Sequence, residues 1–315
     1  MNNFRVGTRG SRLAVVQTEI ALCTLRKRTS LEFEVVTINT RGDVDRRPLF
    51  TIDEKGIFEK EINQAVISGQ VDFAVHSLKD IPSDLSKKLI VASIPKRARP
   101  NDVLVSKRDL KLADLPTGAI VGTSSLRRAI QLFRVRPDLR VKPIRGNVET
   151  RVSRSIAGEY DAVILAEAGL TRLGMKDVIS ERFDIKHFVP APGQGAIAIV
   201  CRRDNKELIT LLRTVEDPQS KIEADAERAL VSKLEAGCRF PVGAVAISKP
   251  RQSTFTLYAS IFSPDGKKNI KLRKSGNAIH PADVGTKLAD LLLKKGAKDF
   301  AAGWRNAVEE WNKKL

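Results

Sequence analysis

The sequence predicts an α/β fold: two sheet-and-helix domains joined at a hinge, followed by a smaller α+β domain. Three observations carry this expectation. Short apolar runs alternate with helical patterns from Phe4 to Val200, as sheets covered by helices on both faces require. Two breaker-rich stretches, Ile94-Pro95 to Arg99-Pro100 and Pro190 to Gly195, flank a middle α/β block and read as crossovers. Beyond Glu216 the pattern changes to a long helix, paired strands and two further helices.

Taken in order, Phe4 to Gly7 reads as a strand, Leu13 to Leu25 as a helix with Cys23 on its apolar face, and Phe33 to Ile38 as a strand. Phe58 to Ile67 reads as a helix and Phe73 to Val75 as a buried strand. The pattern restarts after the first crossover. Ala119 to Val121 is a strand ending in Gly122, Thr123, Ser124 and Ser125, before a helix with Arg127 and Arg128 in its first turn. Leu139 to Ile144 is a strand leading to Arg145, Gly146, Asn147 and another helix; Ala162 to Leu165 and Ala196 to Val200 are further strands. A helix over Gln219 to Ala236 opens the tail. Strands Phe255 to Phe262 and Asn269 to Leu272 flank the turn Pro264-Asp265-Gly266, and helices Pro281 to Lys294 and Lys298 to Trp311 follow. The expected domains are 1–97 with 195–216, then 98–194, then 217–315. No internal repeat or low-complexity tract is apparent.

Charge is the outlier in an otherwise ordinary composition. Lys+Arg 55 against Asp+Glu 37 gives +18 over 315 residues, a balance that suits a polyanionic partner. Residues 127–154 carry eight arginines (Arg127, Arg128, Arg134, Arg136, Arg140, Arg145, Arg151 and Arg154) against Asp138 and Glu149. Arginine early in a helix opposes the helix dipole, so stability alone does not favour Arg127 and Arg128 where they stand. Helix-start amides and arginine forks together suit a ligand with several negative charges. The lysines of the last fifty residues read as a solvated face. Arg5, Arg9 and Arg12 interrupt any apolar segment of a signal peptide, and no run approaches the roughly 20 apolar residues of a membrane helix. A cytoplasmic protein is expected. Nucleic acid is disfavoured as a partner because no basic-aromatic interleaving accompanies the charge.

Several residues could carry chemistry. Cys238 follows a helix in Glu235-Ala236-Gly237-Cys238-Arg239; it reads either as a small turn residue or as an accessible thiol beside a cation. Cys23 and Cys201 read as structural. Lys79 and Asp80 follow the buried strand at 73–75, where sites collect. Asp80 reads as a lone carboxylate able to stabilise a cation, or as a turn cap before Pro82. Gly7-Thr8-Arg9-Gly10-Ser11-Arg12 repeats the strand–Gly–helix arrangement of 122–128. His76, His187 and His280 have no ligand-like spacing, and no metal site is expected.

These motifs resemble the porphobilinogen deaminase (hydroxymethylbilane synthase) family along essentially the whole chain: GTRGSRLA at 7–14, KGIFEKE at 55–61, AVHSLKDIP at 74–82, VGTSSLRR at 121–128, RGNVETR at 145–151, EYDAVILAEAGLTRLG at 159–174, PGQGA at 192–196 and EAGCRFPVGA at 235–244. The resemblance implies two domains like periplasmic binding proteins plus a third carrying a cysteine. It implies a dipyrromethane cofactor held by a thioether at Cys238, and a reaction that joins porphobilinogen units onto it with loss of ammonia before hydroxymethylbilane is released. Asp80 is then the catalytic carboxylate. Cys238, Lys79, Asp80, Ser125, Arg127, Arg128 and Gly146 match cofactor-binding positions; Arg9, Ser11, Lys55, Arg145, Arg151, Arg172 and Gln194 match positions that bind substrate or growing-chain carboxylates. Porphobilinogen and polypyrrole intermediates are the implied partners, and a monomer the implied state. The segment Pro48 to Lys55 departs from the family pattern: Thr51 stands for a lysine and Asp53-Glu54 for a glycine pair. Fewer glycines predict a stiffer cover over residues 46–57.

Overall fold

A computed structural model describes residues 3–41, 59–235, 241–248, 253–263 and 265–301. Described residues up to Ala98 and from Gly193 to Lys221 form one compact unit; those from Arg99 to Pro192 and from Ile222 onward form a second. Lys55, Cys238, the segment 46–57, Pro264 and the chain beyond Ala301 lie outside the described residues, so the stiffer cover and most of the last expected helix are not addressed by the structure.

The first unit opens with β1 (Asn3–Arg9), α1 (Arg12–Arg26), β2 (Glu32–Ile38), α2 (Lys60–Ser68), β3 (Phe73–Ser77) and β4 (Leu89–Ser93). The second holds β5 (Asp102–Ser106), β6 (Ile120–Gly122), α3 (Leu126–Val135), β7 (Arg140–Lys142), α4 (Val148–Ile156), β8 (Ala162–Ala166), α5 (Glu167–Arg172) and β9 (Glu181–Arg182). The chain returns to the first unit with β10 (Ile197–Arg202) and α6 (Lys206–Arg213). Then come α7 (Pro218–Glu235), β11 (Val242–Ser248), β12 (Thr254–Phe262), β13 (Asn269–Asn277), α8 (Pro281–Lys294) and α9 (Ala297–Ala301).

The two larger sheets share one plan. Their strand orders are β2-β1-β3-β10-β4 and β7-β6-β8-β5-β9. In the first, β1 runs parallel to β2 and β3, while β10 is antiparallel to β3 and β4. In the second, β6 runs parallel to β7 and β8, while β5 is antiparallel to β8 and β9. The parallel strands need helical crossovers, which α1 to α4 supply. Each antiparallel strand follows one of the two Pro-rich crossovers. The chain therefore contains a structural repeat that inspection of the sequence did not find. Its trace is short: Ser68-Gly69-Gln70-Val71-Asp72 before β3 and Ala157-Gly158-Glu159-Tyr160-Asp161 before β8.

Burial explains the apolar runs. β3, β5, β8 and β10 lie in sheet interiors and read as continuous hydrophobic stretches, as strands covered on both faces do. Phe73, Val75, Ile197 and Ile199 pack with Leu22 and Leu25 of α1 and Leu212 of α6. Leu104, Val121 and Ile164 pack with Leu132 of α3, and Val103, Val163 and Leu165 with Val152 of α4. β4, β5, β9, β11, α5 and α6 were not anticipated. Cys201 is buried as expected, and burial pushes its thiol up to about 11. Cys23 is exposed rather than on an apolar face: α1 buries the stripe of Thr18, Ala21, Leu22 and Leu25, and position 23 falls outside it.

The C-terminal sheet is antiparallel, in the order β11-β12-β13. Leu257 and Ile261 of β12 pack on Leu230 of α7 and Leu288 and Leu292 of α8. Its edge strand β11 does not present a free row of donors. The Ala246 N–H donates to Glu227 Oε1 at 2.8 Å, the Ser248 N–H to Glu223 Oε1 at 3.1 Å, and the Ala244 N–H to the Pro190 carbonyl at 2.9 Å. Two carboxylates one helical turn apart thus cover an edge that would otherwise invite pairing.

Candidate functional site

Strand direction collects the first group of residues. β1 and β3 are parallel, so Arg9 and Ser11 at the end of one and Ser77 to Asp80 at the end of the other share an edge of the sheet. β10 runs the opposite way, with Ile197 paired to Ser77, so Pro192 to Gly195 arrive at that edge too. Ser11 caps α1 by accepting the Ala14 N–H at 3.3 Å. Ser77 accepts from Gln17 Nε2 at 3.0 Å and donates to its Oε1 at 3.1 Å, fastening α1 to β3. Leu78 to Asp80 form one 3-10 turn; Lys79 is exposed and Asp80 half-buried. Gly193 holds this turn in place. Its φ is +73°, and a Cβ there would sit 3.0 Å from the Lys79 nitrogen, so only glycine fits without displacing Lys79 and Asp80. Gln194 is buried, and its carbonyl accepts from Arg97 Nε at 2.9 Å.

Two groups at this edge were not assigned a role by sequence reasoning. Glu59 stands at the N-terminus of α2, which also begins at the carboxyl edge of the strands. It is buried, its Oε2 has no hydrogen-bond partner, and burial, with help from the charges of Asp80, Glu61 and Asp84, pushes its carboxyl up to about 7. His76 of β3 is also buried, with Nε2 unpartnered; burial, aided by Arg9, pulls its imidazole down to about 4. His76 is therefore neutral, and Glu59 half-titrates near neutral pH. The signal for Glu59 was faint: an acidic residue beside an apolar pair, indistinguishable in sequence from a helix-start charge.

The second unit collects the other group by the same geometry. Thr123 to Ser125 end β6 and cap α3, Arg145 to Asn147 follow β7 and cap α4, and Glu167 to Arg172 follow β8. Ser125 Oγ accepts the Arg128 N–H at 3.5 Å, and Asn147 Oδ1 the Thr150 N–H at 2.8 Å. Ser124 Oγ joins the two loops, donating to the Ile144 carbonyl at 2.7 Å and accepting its N–H at 3.0 Å. Gly146 has φ +107°, and a Cβ there would meet Thr150 Cγ2 at 2.8 Å, so this tight entry to α4 requires glycine.

Asp102 explains the two arginines that the helix dipole disfavours. It begins β5, whose antiparallel direction brings it to the same edge, opposite Ala166. Arg127 NH1 donates to Asp102 Oδ2 at 2.8 Å, and Arg128 Nε to Oδ1 at 2.9 Å. Arg127 NH1 also reaches the Val189 carbonyl at 2.7 Å, and Arg128 NH1 the Ile164 carbonyl at 3.0 Å. All three side chains are buried. Around them lie further cations. Arg151 donates through Nε to the Gly146 carbonyl at 2.8 Å; burial, with Arg128 and Arg145 nearby, pulls its guanidinium down to about 10. Burial does the same to Arg172, also to about 10. The positive charges of Arg128, Arg145 and Arg151 repel one another, and an anion bound there would offset that repulsion.

The structure thus brings Arg9, Ser11, Lys79, Asp80 and Gln194 to one sheet edge in the first unit, and Ser125, Arg127, Arg128, Arg145, Gly146, Arg151 and Arg172 to the corresponding edge in the second. Among the described residues no group of three or more His, Cys, Asp or Glu could hold a metal ion, and no helix is long and apolar enough to cross a membrane. Chemically, the second edge suits a polycarboxylate, and the first sets a carboxylate beside cations and a neutral imidazole.

Residues 4–210 match the family model described as porphobilinogen deaminase, dipyromethane cofactor binding domain, and residues 221–294 match porphobilinogen deaminase, C-terminal domain. The chain is 50% identical over 311 residues to a probable porphobilinogen deaminase of Nitrosopumilus maritimus, covering 98% of this chain and 99% of that one. It is 40% identical over 313 residues to the porphobilinogen deaminase of Bacillus subtilis, covering 98% and 99%. Among solved structures it is similar to the methionine-binding protein MetQ, at 16% identity and TM-score 0.43, over 68% of this chain and 89% of that one. With both family models matched in order and full-length relatives at this identity, the chain belongs to the porphobilinogen deaminase family.

Proposed function

We propose that this chain joins four porphobilinogen molecules head to tail onto a dipyrromethane primer, with loss of ammonia at each addition, and releases hydroxymethylbilane by hydrolysis. The observation that carries the reading is the gathering of Arg128, Arg145 and Arg151 at one sheet edge. Each pyrrole of such a chain brings an acetate and a propionate, and carboxylates leaving water need paired cations.

The donor set fits a carboxylated cofactor: helix-start hydroxyls and amides beside buried guanidinium groups. In this reading the thiol of Cys238 carries dipyrromethane as a thioether, and Lys79, Ser125, Arg127, Arg128 and Gly146 hold it with Asp80. When bound, that group supplies the nucleophilic pyrrole carbon to which substrate is added. Arg127 NH1 is occupied by Asp102 and Val189, which leaves its other nitrogens for a ligand carboxylate. Arg9, Ser11, Lys55, Arg145, Arg151, Arg172 and Gln194 bind the carboxylates of substrate and growing chain. Asp80 stabilises the positive charge that develops on the substrate's methylene carbon as ammonia leaves, and orients its pyrrole N–H. The neutral state of His76 keeps an additional positive charge away from that centre. The domain division 1–97 with 195–216, 98–194 and 217–315 belongs to this reading, as do a monomeric, cytoplasmic enzyme and the absence of nucleic acid or membrane partners.

Intact mass of the purified protein, with an Ehrlich test, examines this directly. A mass excess of two linked pyrroles mapping to Cys238 is expected. Purified apo-protein that gains no adduct on incubation with porphobilinogen or hydroxymethylbilane would overturn the proposal.

A further inference from the structure

A glutamate is buried where stability alone would not place one. Glu59 stands just before the first residue of α2 and is 4% exposed. A carboxylate at a helix start usually accepts a backbone N–H of the first turn, but Glu59 makes no such cap, and its Oε2 has no hydrogen-bond partner. Glu59, Ile62 and Asn63 are three and four residues apart and share one face of α2. That face lies on the sheet: Gly7 of β1 pairs with Ala74 of β3, and a Cβ on Gly7 would lie 3.3 Å from Ile62 Cγ2. Phe73 and Val75 point the other way, into the core with α1, so Ala74 and His76 point towards α2. His76 is 6% exposed and Asn63 9%, and neither His76 Nε2 nor Asn63 Oδ1 has a partner. Three buried side chains with unsatisfied polar atoms thus lie between the start of α2 and the end of β3, which leads directly into the Leu78 to Asp80 turn. Such groups are costly, and where they gather beside a reactive carboxylate they point to function rather than packing. The charges that act on Glu59 are of one sign: burial raises its carboxyl most, and Asp80, Glu61 and Asp84 add to it. His76 is held neutral by burial with help from Arg9, and Lys60 and Lys79 are exposed.

We propose that Glu59 is a positioning residue for the reaction at Asp80: its buried carboxylate adds a second negative charge to that of Asp80, at the edge where the substrate becomes cationic. When the C–N bond of the substrate's aminomethyl group breaks, the electron pair leaves with nitrogen as ammonia, and positive charge spreads over the methylene carbon and the pyrrole. Asp80 meets that charge, and Glu59 acts through Asp80 by making the potential around it more negative. A charge held in a buried, low-dielectric position has more effect than the same charge in water. The carboxyl of Glu59 loses its proton only at about pH 7, so its contribution grows as pH rises through neutrality.

This inference rests on the role proposed above for Asp80. Its first test is independent of turnover. In full-length protein labelled with carbon-13 glutamate, the Glu59 carboxyl resonance, identified by its loss in Glu59→Gln or Glu59→Asp, is titrated in wild type and in Asp80→Asn. Removing the Asp80 charge should lower the Glu59 midpoint by at least about 0.3 pH; an unchanged midpoint would overturn the inference. The second test is the pH profile of the holoenzyme with porphobilinogen. Wild-type kcat should rise at least about threefold between about pH 6 and pH 8, with KM changing less than about twofold. Glu59→Gln should lose that rise and Glu59→Asp should keep it. A Glu59→Gln profile parallel to that of wild type would mark a merely structural role and overturn the inference. A flat wild-type profile would do so too, even if Glu59→Gln does not fold. Wild-type protein that consumes no porphobilinogen at any pH would overturn the proposed reaction and this inference with it; the midpoint shift between Glu59 and Asp80 would persist in that case, which separates the two failures.

Discussion

Arg128 grips a single oxygen of Asp102 with two nitrogens, Nε at 2.9 Å and NH2 at 2.7 Å, while Arg127 takes the other oxygen. The carboxylate is fully buried and the guanidinium groups nearly so. Replacing Asp102 by Ala strands two buried cations among their arginine neighbours. A loss of about 3–5 kcal/mol is expected, measured by urea unfolding of the apo-protein. A loss below about 1 kcal/mol would mean that the cluster is held by other groups.

Gly193 is the backstop of the Leu78 to Asp80 turn. Gly193→Ala meets both a left-handed backbone and the Leu78–Lys79 peptide. It should cost about 1–3 kcal/mol and reduce kcat, because the shift is passed to Asp80. Unchanged stability together with unchanged kcat would show that the turn relaxes freely.

Stability at acid pH tests the displaced protonation of Glu59 and His76. Glu59 ordinarily loses its proton near 4.5 but keeps it to about 7 in the fold. The folded chain then binds more protons than the unfolded one between those values, so this group makes stability fall as pH rises. His76 ordinarily gains a proton near 6.5 but stays neutral to about 4 in the fold, so it makes stability rise with pH across that window. Each contributes about 1.4 kcal/mol per pH unit with opposite sign, and between pH 4.5 and 6.5 their effects cancel. Glu59→Gln should therefore steepen the rise of stability with pH in this window, and His76→Gln should turn it towards a fall. Superimposable profiles for wild type and Glu59→Gln would contradict the perturbed carboxyl.

The roles proposed for Asp80 and Cys238 predict that cofactor attachment and turnover can be separated. Asp80→Asn keeps the shape of the turn but removes the charge, so cofactor should stay attached while turnover falls by at least about a hundredfold. Cys238→Ala should abolish the mass excess entirely. Normal turnover in the first variant, or an unchanged mass in the second, would refute the assignment.

Much of this molecule was legible in the chain. Periodicity placed β1, α1, β2, β3, β6, β8, β10, α7 and α8 within a few residues, because each is a local pattern of apolar spacing with a cap or breaker at its end. β4, β5, β9 and β11 escaped because they are short or follow prolines, and their strand character comes from the neighbours they pair with. Local composition pointed to the strand ends rich in glycine, hydroxyls and arginine at 7–12 and 122–128, while the roles of the individual candidate residues came from the family resemblance. What held them was not legible. Nothing near Arg127 and Arg128 in the sequence points to Asp102, which reaches them from an antiparallel strand begun before the whole βαβ run. Nor does spacing reveal that Gln131 accepts the Val189 N–H and donates to its carbonyl.

The repeat marks the boundary between the two kinds of information. Asp72 takes the Arg5 N–H through Oδ2 at 2.7 Å, and Asp161 takes the Ile120 N–H in the same way at 2.7 Å. Each returns its own N–H to the carbonyl of that partner residue. By itself the sequence determined the strongly periodic helices and strands, where the cations concentrate and which family the chain resembles, since these follow from local composition, spacing and motifs. Tertiary structure alone decided that the two sheets are copies of one plan, that Asp102 is the counter-ion of the arginine pair, and that Glu59 and His76 are buried with displaced protonation. Those properties belong to packing between residues distant in the chain, where dielectric and hydrogen-bond supply are set by neighbours that no local window contains.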